Sequence, residues 1–205
     1  MTEKEKMLDG KIYDPSDSEL AELRINAHKL SKLYNDTFDD EADKRAKILD
    51  KLLPNKGEGV NLQGPIYFDY GVFTTVGKNF FANFNLTVLD TCPVTIGDDV
   101  FIGPNGSILT PKHPLCHEDR NVYKKADGRI TDKEYGAPIT IGDNCWLAGN
   151  VTVLAGAKIG AGCVIGAGSV VTGEIPPNSL AYGNPCRVVR KITEQDRLIY
   201  KKDLF

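Results

Sequence analysis

Between Ile141 and Pro176 the apolar positions recur every six residues. The units are Ile141-Gly-Asp-Asn-Cys-Trp, Leu147-Ala-Gly-Asn-Val-Thr, Val153-Leu-Ala-Gly-Ala-Lys, Ile159-Gly-Ala-Gly-Cys-Val, Ile165-Gly-Ala-Gly-Ser-Val and Val171-Thr-Gly-Glu-Ile-Pro. A branched aliphatic opens each unit, and the fifth position is small or apolar (Cys145, Val151, Ala157, Cys163, Ser169, Ile175). Helices repeat at 3.6 residues and strands at 2, so neither produces this period. A short fixed repeat signals stacked, near-identical turns. The expectation is an all-β solenoid in which three hexapeptides close one triangular coil. Residues 18 apart are then superposed: Ile141 over Ile159, Cys145 over Cys163, Leu147 over Ile165 and Ala157 over Ile175. The opening aliphatic points inward, and Gly or Asn serves the corners, where positive φ is cheap.

The same register appears upstream in Ile96-Gly-Asp-Asp-Val-Phe and Ile102-Gly-Pro-Asn-Gly-Ser, followed by Ile108. Weaker units open at Ile66, Val72, Val76 and Val88. An interruption over about 110–138 separates the two tracts. An insertion that long inside a compact repeat is usually functional or disordered.

Residues 1–55 carry a different pattern. Thr2-x-x-Glu5 and Ser16-x-x-Glu19 have capping-box spacing, and Leu20, Leu23, Ala27, Leu30, Leu33 and Tyr34 follow helical spacing. Asp39-Asp-Glu opens a further helix carrying Ile48, Leu49 and Leu52, stopped by Pro54. The expected organisation is a helical cap (1–55), a linker at Asn55–Gly59, coils over 60–185, and a tail with a short helix from Thr193 over 186–205.

With 205 residues, 41% of them hydrophobic, the chain can bury one main core with a smaller appendage. A net charge of −3 argues against nucleic acid as a partner. No apolar run approaches membrane-spanning length, and the N-terminus has no signal-peptide core. Five cysteines without a Cys-x-x-Cys pair read as small hydrophobes in a reducing, cytoplasmic setting.

Three histidines are present: His28, His113 and His117. A solvated helix face explains His28. His113 stands at the mouth of the insertion, stiffened by Pro111 and Pro114. With an intrinsic pKa of ~6.5, histidine is the natural general base at neutral pH; an ordinary loop histidine is the plain alternative. The run His113-x-x-Cys116-His117 clusters three possible metal ligands, but a structural zinc needs four and no second pair lies nearby. No metal is expected.

Several motifs in order resemble one family. They are Met7-Leu-Asp-Gly-Lys-Ile-Tyr-Asp-Pro-Ser-Asp-Ser-Glu-Leu, Phe80-Phe-Ala-Asn-Phe-Asn, His113-Pro, Ile165-Gly-Ala-Gly-Ser-Val-Val-Thr and Gly183-Asn-Pro-Cys-Arg. The chain is similar to hexapeptide-repeat O-acetyltransferases of the maltose/galactoside acetyltransferase group over essentially its whole length. That resemblance implies a left-handed parallel β-helix, a handedness that the pattern alone does not yield. It further implies a homotrimer with active sites between subunits, acetyl-CoA as cosubstrate, and His113 deprotonating a sugar hydroxyl for direct attack on the thioester.

Carried over by the same resemblance, Asn83 is the catalytic partner on the acceptor side. Asp17, Arg24, Asp69 and Glu134 are acceptor contacts, with Asp14 competing for the place of Asp17. Trp146, Gly149, Ala167, Thr172, Gly173, Arg187 and Arg190 fall on the cofactor side; for Trp146 an interface role competes. Small residues suit backbone approach to the pantetheine arm, and guanidinium groups suit its phosphates. Gly173 departs from the family, which often has Lys after the threonine. Competing readings keep the fold with an antibiotic or amino-acid acceptor, or make the chain a non-catalytic scaffold. A γ-carbonic anhydrase type needs three coil-borne histidines, and only His113 and His117 lie outside the cap.

Overall fold

A computed structural model describes residues 1–204. Three parallel sheets wrap one apolar interior. Face one stacks Asn55–Lys56, Thr74–Val76, Val94–Ile96, Ile139–Ile141, Lys158–Ile159 and Glu174–Ile175. Face two stacks Asn61–Leu62, Phe81–Ala82, Phe101–Ile102, Trp146–Leu147, Val164–Ile165 and Ser179–Tyr182. An antiparallel strand, Arg187–Lys191, is added last. Face three stacks Ile66–Phe68, Leu86–Leu89, Ser107–Leu109, Thr152–Leu154 and Val170–Val171. Each strand is two to five residues long, so most backbone pairing runs from coil to coil. The interior is a set of aliphatic columns, such as Ala82, Ile102, Leu147, Ile165 and Ala181 on face two. Each buried large aliphatic contributes about 1.5–3 kcal/mol of transfer free energy.

Two corners are uniform. Passing from face one to two to three takes six residues each time, as in Ile96 to Ile102 to Ile108 and Ile141 to Leu147 to Val153. The corner from face three back to face one varies. It takes eight residues from Val88 to Ile96, thirty-three from Ile108 to Ile141, six from Val153 to Ile159 and four from Val171 to Ile175. The 18-residue superposition therefore holds for Ile141 over Ile159 and Leu147 over Ile165. It fails for Ala157 over Ile175, because the shortened corner places Ile175 against Ile159. Upstream the longer corner gives a spacing of 20 (Val76 against Ile96), and Val72 falls in that corner instead of opening a unit.

Side-chain ladders hold the uniform corners. The Asn85 amide donates to Asn105 Oδ1 at 2.9 Å and the Asn105 amide to Asn150 Oδ1 at 3.0 Å. All three residues adopt positive φ, which Asn tolerates better than most residues. Coils also approach too closely for a side chain at some second positions. A Cβ on Gly97 would lie 2.1 Å from Asp143 Oδ1.

The cap is three helices: α1 (Glu3–Leu8), α2 (Ser18–Asn35) and α3 (Ala42–Leu52). The Thr2/Glu5 capping box is present, but α2 is capped by Asp17 rather than Ser16, and α3 begins after Glu41 with no side-chain cap. Leu20, Ala27, Leu30 and Tyr34 are buried, whereas Leu33 faces outward. A second small core of Met7, Tyr13, Leu20 and Tyr70 joins the cap to the variable corner. The segment expected as a linker already pairs, since Asn55–Lys56 lies beside Thr75–Val76. At the other end the expected helix is instead three 3₁₀ turns, Glu194–Asp196, Leu198–Tyr200 and Lys202–Leu204. Thr193 does cap the first of them, with Asp196.

The insertion is ordered as a double ribbon. Pro111–Lys112 pairs with Tyr135–Gly136, and Tyr123–Lys124 pairs with Ile130–Thr131. Cys92, Cys145, Cys163 and Cys186 are buried free thiols; Cys116, in the insertion, is exposed. No described helix is long and apolar enough to cross a membrane.

Candidate active site

The antiparallel pairing at the base of the insertion sets Lys112 opposite Tyr135, which brings His113 and Glu134 face to face. His113 Nδ1 lies 3.4 Å from the Lys133 carbonyl oxygen and 3.6 Å from Asp132 Oδ2. Both acceptors favour a proton on Nδ1, leaving the Nε2 lone pair free. Nε2 faces Glu134 Oε1 at 4.0 Å, and the imidazole is 45% exposed, so a small molecule can reach it. Glu134 is itself held: its Oε2 accepts from the Tyr13 hydroxyl, and its carbonyl accepts from the Tyr13 N–H at 3.0 Å. Burial pushes the Glu134 carboxyl above the ordinary glutamate range, against the Tyr13 hydrogen bond and the nearby His113. Burial, and then the Glu134 charge, likewise push the Tyr13 phenol up. The result is a half-open imidazole beside a carboxyl whose ionisation is resisted.

Of the acceptor candidates, the structure gathers Arg24 and Asp69 near this pair. Arg24 donates to the Tyr70 hydroxyl at 3.0 Å and to the Pro15 carbonyl at 3.4 Å. Asp69 Oδ1 is 3.6 Å from His28 Nε2, so His28 is not merely a solvated helix residue. Burial raises the Asp69 carboxyl, opposed by His28 and Arg24, and the charges of Asp69 and Glu134 both bear on Tyr13. Asp17 uses Oδ1 as the helix cap, accepting from the Glu19 and Leu20 N–H groups at 3.0 and 3.4 Å. Asp14 pins the cap to the insertion through Lys125 Nζ and the Thr131 hydroxyl, each at 2.5 Å. Those bonds hold its carboxyl well below the usual Asp range although burial pushes the other way.

Asn83 is not beside His113. It follows Phe81–Ala82 at the corner between faces two and three, and its Oδ1 accepts from the Phe84 N–H at 2.7 Å. Gly149 and Ala167 occupy the same corner in later coils. His113 leaves from the opposite edge of face three, so the width of that face separates base and amide within one chain. Trp146 projects from face two between Phe101 and Val164, about half exposed.

The variable corner gathers a second set. Thr172, Gly173, Cys186 and Arg187 line one cavity of about 410 Å³. Arg187 donates to the Cys186 carbonyl at 2.9 Å and has no carboxylate partner among the described residues. Arg190 is different: it forms a two-pronged pair with Asp196 at 2.7 and 2.8 Å. A Cβ on Gly173 would meet nothing within 4 Å, so no steric need explains the glycine. No group of three or more His, Cys, Asp or Glu converges as a metal site among the described residues; Cys116 and His117 both turn to Glu118. No local pattern marks Tyr13, Asp132 or the His28–Asp69 pair, whose contacts join distant parts of the chain. Tyr13 and Glu134 meet across 121 residues, a contact that no local pattern encodes.

Comparison with known proteins agrees with this architecture. Residues 6–57 match the maltose acetyltransferase hexapeptide capping motif, and residues 138–173 match the bacterial transferase hexapeptide (six repeats). Residues 93–110 match the hexapeptide repeat of succinyl-transferase. The chain is 39% identical to a galactoside O-acetyltransferase of Escherichia coli strain K12, over 97% of this chain and 94% of that one. It superposes on the crystal structure of a maltose O-acetyltransferase from Clostridium difficile 630 with a TM-score of 0.87 at 47% identity, covering 95% of this chain and 99% of the other. A galactoside acetyltransferase in complex with coenzyme A gives a TM-score of 0.87 at 39% identity, covering 96% and 94%.

Proposed function

We propose that this chain, which belongs to the maltose and galactoside O-acetyltransferase family of hexapeptide-repeat proteins and is an acetyl-CoA-dependent acetyltransferase, delivers its acetyl group to a sugar hydroxyl. The observation that carries the acceptor chemistry is His113, half open, with Nδ1 facing two acceptors and Nε2 unblocked. Nε2 takes the hydroxyl proton as the oxygen attacks the thioester carbonyl. The tetrahedral intermediate collapses, the C–S bond breaks, and the imidazolium returns its proton to the departing thiolate. No acyl-enzyme is needed, because holding both substrates together removes most of the entropic cost of their meeting. Glu134, Asp69 and Arg24 would orient the sugar. Gly149 and Ala167 would admit the pantetheine arm, with Trp146 packed beside its thioester end. Arg187 would meet a phosphate beside Thr172 and Gly173, and Arg190 would do so only by giving up Asp196.

The separation of Asn83 from His113 supports a site between two copies of the chain, in which the Asn83 corner of one lies against the His113 corner of the next. A homotrimer closes such a head-to-tail contact with every copy equivalent. Free thiols throughout the chain suit a cytoplasmic setting. Thiol release from acetyl-CoA, measured against a panel of sugars and simple alcohols, tests the reaction. Release that depends on a sugar hydroxyl is expected, and release indifferent to the added sugar would overturn the acceptor class. Mass measurement after sizing tests the trimer.

A further inference from the structure

In the coil before the insertion, the corner from face three to face one takes eight residues, Val88 to Ile96, instead of six. Three consecutive side chains in it, Asp90, Thr91 and Cys92, are buried although two of them are polar. Each is tied to a different part of the molecule. Asp90 accepts from the Tyr70 N–H through Oδ1 and from the Thr74 hydroxyl through Oδ2, both at 2.9 Å. Cys92 Sγ donates to the Met7 carbonyl of α1 at 3.2 Å. The Thr91 hydroxyl lies 3.0 Å from Thr110 Oγ1, at the point where the insertion leaves the coils.

Thr110 is where these ties reach the reaction. Its buried hydroxyl donates to the Leu89 carbonyl at 2.8 Å and accepts from the Cys92 N–H at 2.9 Å. Its one proton is thereby spent, so Thr91 is the donor of their pair, and the hydroxyl is bonded to full capacity. The backbone is equally committed: the Thr110 N–H donates to the Leu89 carbonyl, and the Thr110 carbonyl accepts from the Ala137 N–H, each at 3.1 Å. The returning strand sits on the same spot, since a Cβ on Gly136 would lie 2.7 Å from both Cys92 Sγ and the Thr110 carbonyl oxygen. Both ends of the insertion are therefore seated on the lengthened corner. From Thr110 the chain reaches His113 through Pro111 and Lys112, which pair with Gly136 and Tyr135. The locked φ of proline and the pairing leave that path few soft torsions, so the seat of Thr110 sets where the imidazole emerges.

Resting on the base role proposed for His113, we propose that Thr110 is a positioning residue for that base. Its hydroxyl, saturated by Leu89, Thr91 and Cys92, locks the root of the insertion to the stack and so fixes the imidazole relative to the coils. A misplacement of about 1 Å can cost about 10²-fold in rate, so a short stiff root matters to turnover more than to binding.

Thr110→Val keeps the shape and removes the hydroxyl, Thr110→Ser restores it, and Gly136→Ala disturbs the same seat from the returning strand. Each is made in the full chain, alone and together with His113→Ala, and thiol release from acetyl-CoA is followed with glucose, maltose and galactose. Thr110→Val and Gly136→Ala should lower kcat by about tenfold or more, with the acetyl-CoA KM within about twofold of native and Thr110→Ser within about threefold of native turnover. Neither should change the residual turnover of His113→Ala by more than about twofold, because a residue that acts only through the imidazole has nothing left to position. A purely structural loss would recur in both backgrounds. Equal losses in the two backgrounds, native kcat in Thr110→Val, lost acetyl-CoA binding, or a Thr110→Ser as slow as Thr110→Val would overturn the positioning role. Near-native turnover in His113→Ala alone would overturn the general-base reading instead, and no release with any of the three sugars would overturn the acceptor class; the positioning role falls with either.

Discussion

Two corners of the coil repeat at six residues along the molecule, while the third runs through eight, thirty-three, six and four. The uniform corners are closed by their own neighbours, through the Asn85–Asn105–Asn150 ladder on one and Asn79–Asp99 on the other. At the variable corner three coils turn to something outside the stack: the cap at Tyr70, the insertion ribbon at Thr110, the C-terminal strand at Thr172. Two regular corners suffice to keep the columns in register, which frees the third to change length. His113, Glu134, Asp69, Gly173 and the Arg187 cavity all lie along that freed edge. The regular edge contributes mainly Asn83 and small residues.

The hardest strike at this contrast is His113→Ala on the variable edge. Turnover should fall roughly 10²–10⁴-fold, the usual share of a general base, while acetyl-CoA affinity measured by calorimetry stays close to native. Near-native turnover would remove the base from that edge. Lower on the same edge, Arg187→Ala should raise the acetyl-CoA KM by about tenfold with little effect on the sugar KM. A change confined to the sugar would contradict the assignment.

Mixing sharpens the comparison between edges. If a site joins the variable edge of one copy to the regular edge of the next, His113→Ala and Asn83→Ala chains co-assembled in equal amounts should restore about one site in four. No recovery would place both residues in one chain's site or remove Asn83 from it. Gly173→Lys should act in the opposite sense to Arg187→Ala. The position has open space and no positive φ, so an added cation near the phosphates should tighten acetyl-CoA several-fold; unchanged binding would show that the phosphates lie elsewhere.

The smallest effect concerns the pin between cap and insertion. The folded state holds the Asp14 carboxyl below its ordinary value of 3.8, so the stabilisation is fully present above that pH and is lost as pH falls further. Asp14→Asn should speed proteolytic cleavage within the insertion near neutral pH. The unaltered chain should lose its advantage over the variant in acid, and an advantage that persists there would show that the pin is not ionic.

The period of the coils was legible because an inward aliphatic is a local requirement, repeated wherever a corner has six residues. Corner length is not local, which is why Ile175 stacks on Ile159 rather than on Ala157 and why Val72 lies in a corner although its spacing resembles the start of a unit. The insertion stood out as the break in the period, with His113 between prolines at its mouth. Asp17 shows the opposite problem: a carboxylate before a helix reads the same whether it caps the helix or binds a ligand, and here it caps. Tyr13, Asp132 and the His28–Asp69 pair acquire their surroundings only when cap, coil and insertion meet.

The last strand of face two, Arg187–Lys191, runs against all the others in its sheet. A column of parallel rungs would otherwise finish on a bare row of amides and carbonyls, ready to accept the first rung of another molecule. Reversing the final rung breaks the parallel register on face two, and Arg187, Arg190 and Lys191 set positive charge along that edge, one of the ways an exposed edge discourages pairing with a newcomer.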